Sequence, residues 1–383
     1  MMIFLGAFAL SMLSVLALTP ALRSLATRLR FLDHPNRIKV HKNPTPLMGG
    51  IAVALASMAS AAAALALIEY PYSARIVGFM SGGLIVVILG LADDANGMRP
   101  SVKLTGQAAA ATVMLLSGGV QGLPLHPVLG FCLALVWMVG LMNAFNFLDN
   151  MDGITSGLAA IATFGIFTLA LGHGQMLTAI AAISVAGGAL GFLRYNFNPA
   201  SIFLGDAGSL FLGYVVGGLS LRAVSYAGAE PTALLIPVLM LGYPVFDATL
   251  VTISRLAEGR DVAMGGKDHS SHRMARLGLS ARQTAASIYL ISASLTGVAV
   301  YLSLFQRERL EILALATLAV TGGLLLLGHR LFRVPTSEPA GSRVVRPTEE
   351  EIELLAAAAE SGDAVEADDA AADRHSRETI EVR

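Results

Sequence analysis

The chain has 383 residues, of which 55% are hydrophobic and only 14% charged, and its mean hydropathy is +0.66. Such a composition excludes an ordinary soluble domain, and a single cysteine, Cys132, excludes a disulfide framework and a cysteine-based zinc site. The net charge of −1 averages two opposed regions, because residues 1–335 carry 21 Lys/Arg against 14 Asp/Glu while residues 336–383 carry 5 against 13, and neither balance calls for a nucleic-acid partner.

The segment from Met1 to Pro20 is apolar, and its basic residues, Arg23, Arg28 and Arg30, follow the apolar run. A secretory signal peptide has the reverse order, so the segment reads as an uncleaved first transmembrane helix with its N-terminus outside. Runs long enough to cross a bilayer, about 17 to 25 residues each, fall near 2–22, 48–68, 76–92, 104–122, 125–145, 153–172, 175–193, 209–228, 232–253, 284–304 and 310–331. The predicted fold is an all-α polytopic membrane protein with about 11 transmembrane helices. This topology puts loops 23–47, 93–103, 146–152, 194–208 and 254–283 in the cytoplasm with fifteen Lys/Arg, against Arg75, Arg222, Arg307 and Arg309 on the other side. That asymmetry obeys the positive-inside rule and places the C-terminus in the cytoplasm. The membrane domain is expected over 1–335. Residues 336–383 are expected to be an acidic, disordered cytoplasmic tail without assigned chemistry.

The polar clusters all fall in the loops predicted to be cytoplasmic. The first runs Asp33-His-Pro-Asn-Arg37-Ile-Lys39-Val-His41-Lys42, then leaves through Pro44-Thr-Pro46-Leu-Met-Gly49-Gly50, where backbones are expected to pass closely. Its cations suit an anionic ligand or the anionic leaflet. Asp93-Asp94 follows at the foot of the third span; alone the pair is weak, but beside a second acidic loop it is a candidate for Mg²⁺ or a general base. That second loop, Asn143-Ala-Phe-Asn146-Phe-Leu-Asp149-Asn-Met-Asp152-Gly153, places two amides and two carboxylates between apolar runs with no Lys or Arg to balance them.

In the next loop, Gly205-Asp206-Ala-Gly208-Ser209 opens a span, where free amides and the helix dipole favour phosphate. The last loop carries Arg255, Arg260, Lys267, Asp268, His269, His272, Arg273 and Arg276 before Ser280, an expected helix N-cap. A zinc site there would be underligated, and the cations argue for phosphate. Asp247 lies inside the ninth run, where a carboxylate is functional by default, and its expected partner is Arg255 or a basic residue of the last loop. Carboxylates for Mg²⁺ and cations for the remaining phosphate oxygens together suit a metal–diphosphate substrate, and the surrounding helices suit a second substrate with a lipid tail. An ion-coupled transporter is the competing class; the clustering of the acids at one face and the lack of an inverted repeat speak against it.

In this order, D-H-P-N…K-V-H…P-x-P-x-x-G-G, the Asp93-Asp94 pair, N-x-x-N-x-x-D-x-x-D-G, G-D-x-G-S and the His/Arg loop resemble the polyprenyl-phosphate N-acetylhexosamine-1-phosphate transferases, from about Asp33 to Ser280. That family includes the WecA- and TagO-type GlcNAc-1-phosphate transferases and MraY. The resemblance implies transfer of a sugar 1-phosphate from a UDP-sugar to undecaprenyl or another polyprenyl phosphate, with release of UMP. It implies Mg²⁺, with Mn²⁺ as an alternative, in a multi-pass protein of the bacterial cytoplasmic membrane; homodimerisation is an open expectation.

By resemblance, Asn146 and Asp206 lie nearest the metal, and Asp93 and Asp94 engage the lipid phosphate, one of them as a base. Asp149 and Asp152 shape the nucleotide and metal pocket, and His269, His272 and Arg273 contact phosphate or sugar. The expected substrate-binding set adds Lys39, His41, Asn143, Ser209 and Asp247. Two departures stand out: Ile38 precedes Lys39 where an Arg-Lys pair is usual, and His269-Ser-Ser-His272-Arg273 replaces adjacent histidines. The second argues against the peptide-bearing substrate of MraY, UDP-MurNAc-pentapeptide, and leaves the choice among UDP-N-acetylhexosamines open.

Overall fold

The computed structural model describes residues 1–34, 43–118, 123, 125–227, 231–262, 266–305 and 310–332, so Lys39, His41 and the acidic tail lie outside the described residues. The described chain is almost wholly helical. It runs α1 (Met2–Arg28), a two-residue ribbon of β1 (Leu32–Asp33) and β2 (Thr45–Pro46), α2 (Gly49–Leu67), α3 (Ala74–Asn96) and α4 (Pro100–Leu116). Then come α5 (Pro127–Leu148), α6 (Ile154–Gly172), α7 (Met176–Asn196), α8 (Gly205–Ala227) and a 3₁₀ turn (Pro231–Leu234). The described residues close with α9 (Leu235–Met240), α10 (Gly242–Ala257), α11 (Ser270–Arg276), α12 (Ala281–Phe305) and α13 (Leu310–Phe332). Among the described residues, seven helices, α1, α2, α3, α5, α6, α7 and α12, are long and apolar enough to cross a membrane. The chain is a helical, multi-pass membrane protein.

Its outer surface fits that setting. Leu13, Ile88, Val136 and Leu290 stand exposed on their helices, while Phe145, Phe192, Phe211 and Tyr214 are buried at the centre. In lipid, burying an apolar side chain gains little over leaving it against acyl chains, so helix pairs are held by close packing and satisfied polar groups. The approach of α2 to α8 illustrates the first: a β-carbon on Gly50 would lie 2.2 Å from the backbone nitrogen of Gly208.

Prolines within the helices illustrate the second. Pro20, inside α1, has no N–H to give the carbonyl of Leu16 four residues back, and the Tyr195 hydroxyl donates to that carbonyl at 2.9 Å. Pro244 likewise cannot bond to Met240, whose carbonyl accepts from Thr296 Oγ1 at 3.4 Å. The apolar run 232–253, read above as one span, is therefore broken: α9 ends at Met240 and α10 restarts at Gly242, with Pro244 in its first turn, where a missing donor costs little. The expected cap at the start of α12 is present as a reciprocal pair, Ser280 Oγ accepting the Gln283 N–H at 3.3 Å and Gln283 Oε1 accepting the Ser280 N–H at 2.9 Å.

Candidate functional site

Helices α3, α5 and α7 finish at the same end of the bundle at which α2, α4, α6, α8 and α12 begin. The turns between them enclose a cavity of about 630 Å³, lined by Asp93, Asp94, Asp149, Asp152 and Asp206 together with Asp33, Thr45, Asn198, Phe203 and His272. One edge is made by the exit of the first loop. Phe203 N–H donates to the Pro46 carbonyl at 2.8 Å, and the Gly49 and Gly50 N–H groups donate to the carbonyls of Phe203 and Leu204 at 3.0 and 2.8 Å. This short ladder, together with the Gly50–Gly208 approach, fixes the turn that delivers Asp206.

Lys103, in the first turn of α4, is the centre of the charged floor. Its ammonium lies 2.7 Å from Asp93, 2.5 Å from Asp206 and 3.0 Å from Asn146 Oδ1. The Asn146 amide nitrogen donates to Asp206 Oδ1 at 2.7 Å and to Ser209 Oγ at 3.0 Å. Asp93 also accepts the Met98 N–H at 2.6 Å. Asp94 faces away from its neighbour: its two oxygens accept the N–H groups of Asp206 and Ala207 at 2.9 and 3.2 Å. It therefore caps α8, placing a carboxylate where the helix presents free amides and the positive end of its dipole. Each carboxyl of the pair has its own donors, yet burial first, and then the Asp206 charge, pushes Asp94 up to about 7.

The Asp149–Gly153 turn supplies the far wall. Desolvation, and then the charges of Asp206, Asp94 and Asp152, push Asp149 up to about 8, so it carries a proton at neutral pH. Asp152 accepts Asn198 Nδ2 and the Ala200 N–H, both at 2.9 Å, and so ties this turn to the one before α8. Gly153 takes a left-handed φ of +80°, and its peptide is held from both sides: its N–H donates to Asn196 Oδ1 at 3.2 Å and its carbonyl accepts the Tyr289 hydroxyl at 2.6 Å.

The loop after α10 is built differently. Arg255, fully buried, donates through Nε and Nη2 to both oxygens of Asp268 at 2.9 Å, and Arg260 adds a third bond at 2.9 Å. Burial disfavours the Asp268 charge, but these guanidinium groups more than offset it and hold the carboxyl well below its usual range. Asp247 pairs with His269 Nδ1 at 2.9 Å, accepts the Ser270 N–H at 2.7 Å and accepts the Ser270 hydroxyl. Its partner is thus a basic residue of this loop, while Arg255 is taken by Asp268. Ser271 Oγ donates to Asn150 Oδ1 at 2.7 Å, fastening α11 to the Asp149–Gly153 turn.

Several expected site residues therefore stand elsewhere. Arg273 does not reach the cavity: it is fully buried, and its donors go to the Asp268 carbonyl at 2.8 Å, the Leu331 carbonyl at 2.9 Å and Ser254 Oγ at 2.6 Å. His269 is the N-cap of α11, and of His269, His272, Arg273 and Arg276 only His272 lines the cavity. His272 Nδ1 has no partner among the described residues, and burial first, with the neighbouring His269 charge, pushes the ring down to about 4, so it is neutral. Asp247 is buried beneath the loop, and Asn143 turns to Gln107 Oε1 at 2.6 Å. Asn146 and Ser209 sit directly behind Asp206. Lys103, Asn150, Asn196, Asn198, Phe203 and Tyr289 were not among the expected site residues; for Lys103 the available signal was a cation nine residues past the Asp-Asp pair, in the first turn of the next helix.

The donors suit a hard divalent cation in kind, being carboxylate and amide oxygens in excess of Lys103 among the described residues. Among the described residues no three His, Cys, Asp or Glu side chains form a ligand shell. Mg²⁺ ordinarily takes one or two carboxylates and completes its shell with substrate phosphate and water; Asp206, on the cavity wall, fits that requirement, and Asn146 Oδ1 could join it only by giving up the Lys103 ammonium it accepts at 3.0 Å.

Residues 76–224 match the family model of glycosyl transferase family 4. The chain is 34% identical over 315 residues to a probable undecaprenyl-phosphate N-acetylglucosaminyl 1-phosphate transferase of Bacillus subtilis, covering 78% of this chain and 87% of that protein. It is 32% identical to the decaprenyl-phosphate N-acetylglucosaminephosphotransferase of Mycolicibacterium smegmatis, over 70% of this chain and 74% of the relative. It is 26% identical to the undecaprenyl-phosphate alpha-N-acetylglucosaminyl 1-phosphate transferase of Escherichia coli, over 73% and 78%.

Proposed function

Because the chain belongs to glycosyl transferase family 4, on its WecA/TagO-type branch, we propose that it transfers N-acetylglucosamine 1-phosphate from UDP-N-acetylglucosamine to a polyprenyl phosphate, with Mg²⁺, at the cytoplasmic face of a bacterial inner membrane. The observation that carries the reading is the convergence of Asp93, Asp94, Asp149, Asp152 and Asp206 on one cavity around Lys103 and Asn146. The fifteen-to-four distribution of loop cations supports the orientation and a topology of eleven spans, the ninth of them interrupted.

In the reaction an oxygen of the lipid phosphate attacks the sugar-bearing phosphorus of the nucleotide sugar. A new P–O bond forms, the P–O bond to the bridging oxygen breaks, and UMP leaves with the electron pair. A phosphate monoester is already largely dianionic at neutral pH, its second pKa being about 6, so positioning and charge neutralisation matter more than a base. Asp206 and Asn146 would hold Mg²⁺, which when bound supplies positive charge to the diphosphate. Lys103 keeps Asp93 and Asp206 apart in charge while adding a cation to the floor. Asp94 acts through α8, by fixing the first turn that carries Asp206. Asp149 stores a proton that a cation at the floor would displace. His272, neutral, offers the cavity wall a hydrogen-bonding ring without a fixed charge.

The test is release of UMP from UDP-N-acetylglucosamine by the purified protein in detergent with polyprenyl phosphate and Mg²⁺. UMP formed only when all three are present supports the reading. A protein that is folded yet releases none, or that accepts a different UDP-sugar in preference, overturns the substrate assignment.

A further inference from the structure

Gln107 lies on α4, one turn beyond Lys103, and is fully buried; it is not on the cavity wall. Its Oε1 accepts Asn143 Nδ2 at 2.6 Å, and the same amide nitrogen donates to the Val139 carbonyl of its own helix at 2.8 Å. Three residues further along α5, Asn146 Oδ1 accepts the Lys103 ammonium at 3.0 Å. The two helices are thus joined by two polar rungs, with an i, i+4 pair on α4 facing an i, i+3 pair on α5. The lower rung meets Asp206; the upper one lies about a turn deeper and touches no described part of the cavity.

Gln107 Nε2 is buried without a partner among the described residues. A buried donor left unsatisfied costs its full desolvation. A methionine of similar length would fill the space without that cost, so packing alone does not account for the amide. Its distinctive contribution is the acceptor oxygen.

We propose that Gln107 is a positioning residue, which with Asn143 clasps α4 against α5 in the register that delivers the Lys103 ammonium between Asp93 and Asp206. The geometry is sensitive to register: a slip of one residue along a helix is about 1.5 Å, enough to carry a bond of 2.5–3.0 Å beyond hydrogen-bonding range. Asn143 accordingly belongs to this clasp and not to the substrate-contacting set.

The inference rests on the transferase reading for its kinetic readout. Gln107→Met, Lys103→Met, the double variant and Gln107→Glu are compared by kcat, by KM for UDP-N-acetylglucosamine and by thermal unfolding. Gln107→Met should lower kcat about tenfold with KM changed by less than about threefold. Gln107→Glu, which keeps the acceptor, should recover most of the loss. The double variant should be no slower than Lys103→Met alone, within about threefold. Losses that multiply, or a lowered unfolding temperature with kcat unchanged, overturn the proposal and leave Gln107 a packing residue. Should Gln107→Met fail to fold, Asn143→Leu makes the same comparison from α5. A parent protein that releases no UMP sinks the transferase reading instead; the clasp is then judged by the Gln107–Lys103 coupling in unfolding, where additivity overturns it.

Discussion

Two polar regions of this protein, joined by the hydrogen bond from Ser271 to Asn150, are built on opposite principles. Around Asp206, Asp149 and the Asp93–Asp94 pair, carboxyl groups outnumber Lys103, the cation bonded to them among the described residues. Around α11, Asp268 is matched by Arg255 and Arg260, Asp247 by His269 and Ser270, and Arg273 by three protein oxygens. Residue types do not separate the two regions; the balance of partners does. Charges that saturate one another build architecture, whereas charges left in excess at a cavity are available to a ligand.

The largest test of this contrast falls on the unbalanced side. Asp206→Asn keeps the shape of the turn but removes a charge placed on the metal, and kcat should fall on the order of 10³-fold. Activity of the variant should keep rising with Mg²⁺ beyond the parent's plateau. If it saturates like the parent, Asp206 is not a metal ligand.

On the balanced side, Arg255→Met should act on stability. Removing Arg255 takes two of the three guanidinium bonds from buried Asp268 and leaves it only the partly exposed Arg260, at a cost of up to about 3–5 kcal/mol, read as a lower unfolding temperature in detergent. The surviving folded protein should retain kcat within about threefold. A stable variant that has lost activity would move Arg255 into the site.

The contrast also marks what could be read from the sequence. Helix positions followed from apolar runs, and the acidic floor from Asp93-Asp94, Asp149, Asp152 and Asp206, because a carboxylate at a membrane boundary needs a reason to be there. The break at Leu241 followed from Pro244 only once Thr296, some fifty residues later, was seen to satisfy Met240. Arg273 and His272 are adjacent in sequence and have opposite surroundings, one paired on all sides and the other facing the cavity. That difference depends on Ser254 and Leu331, which no local pattern connects to them.

A third prediction uses the proton on Asp149. Its folded pKa, about 8, lies above the usual carboxylate value, so the folded protein binds an extra proton between roughly pH 4 and 8 and its stability declines as pH rises through that window. A cation at the floor favours the ionised carboxylate. Apparent Mg²⁺ affinity should therefore rise with pH, by up to about tenfold per unit below pH 8, and level off above it. In Asp149→Asn this dependence should become shallower between pH 7 and 8, the part that remains at lower pH belonging to Asp94, which burial pushes up to about 7. An unchanged slope would place the titrating group elsewhere.

The smallest effect is expected where the two regions meet. Tyr289 belongs to α12, on the architectural side, yet its hydroxyl donates to the Gly153 carbonyl, and a β-carbon on Gly157 would lie 2.2 Å from its ring. The Gly153 peptide, held by Tyr289 on one side and Asn196 on the other, sets the direction in which the turn presents Asp149 and Asp152. Tyr289→Phe keeps the ring in its seat and removes only the hydroxyl, a change worth about 1 kcal/mol. With Asn196 still in place the turn should loosen without collapsing, so kcat should fall about three- to fivefold while KM for the nucleotide sugar holds. A loss beyond about 100-fold would mean that the hydroxyl touches substrate, and Tyr289 would join the unbalanced region. No loss at all would mean that Asn196 alone holds the peptide, and that the boundary between the two regions runs along α7 and not α12.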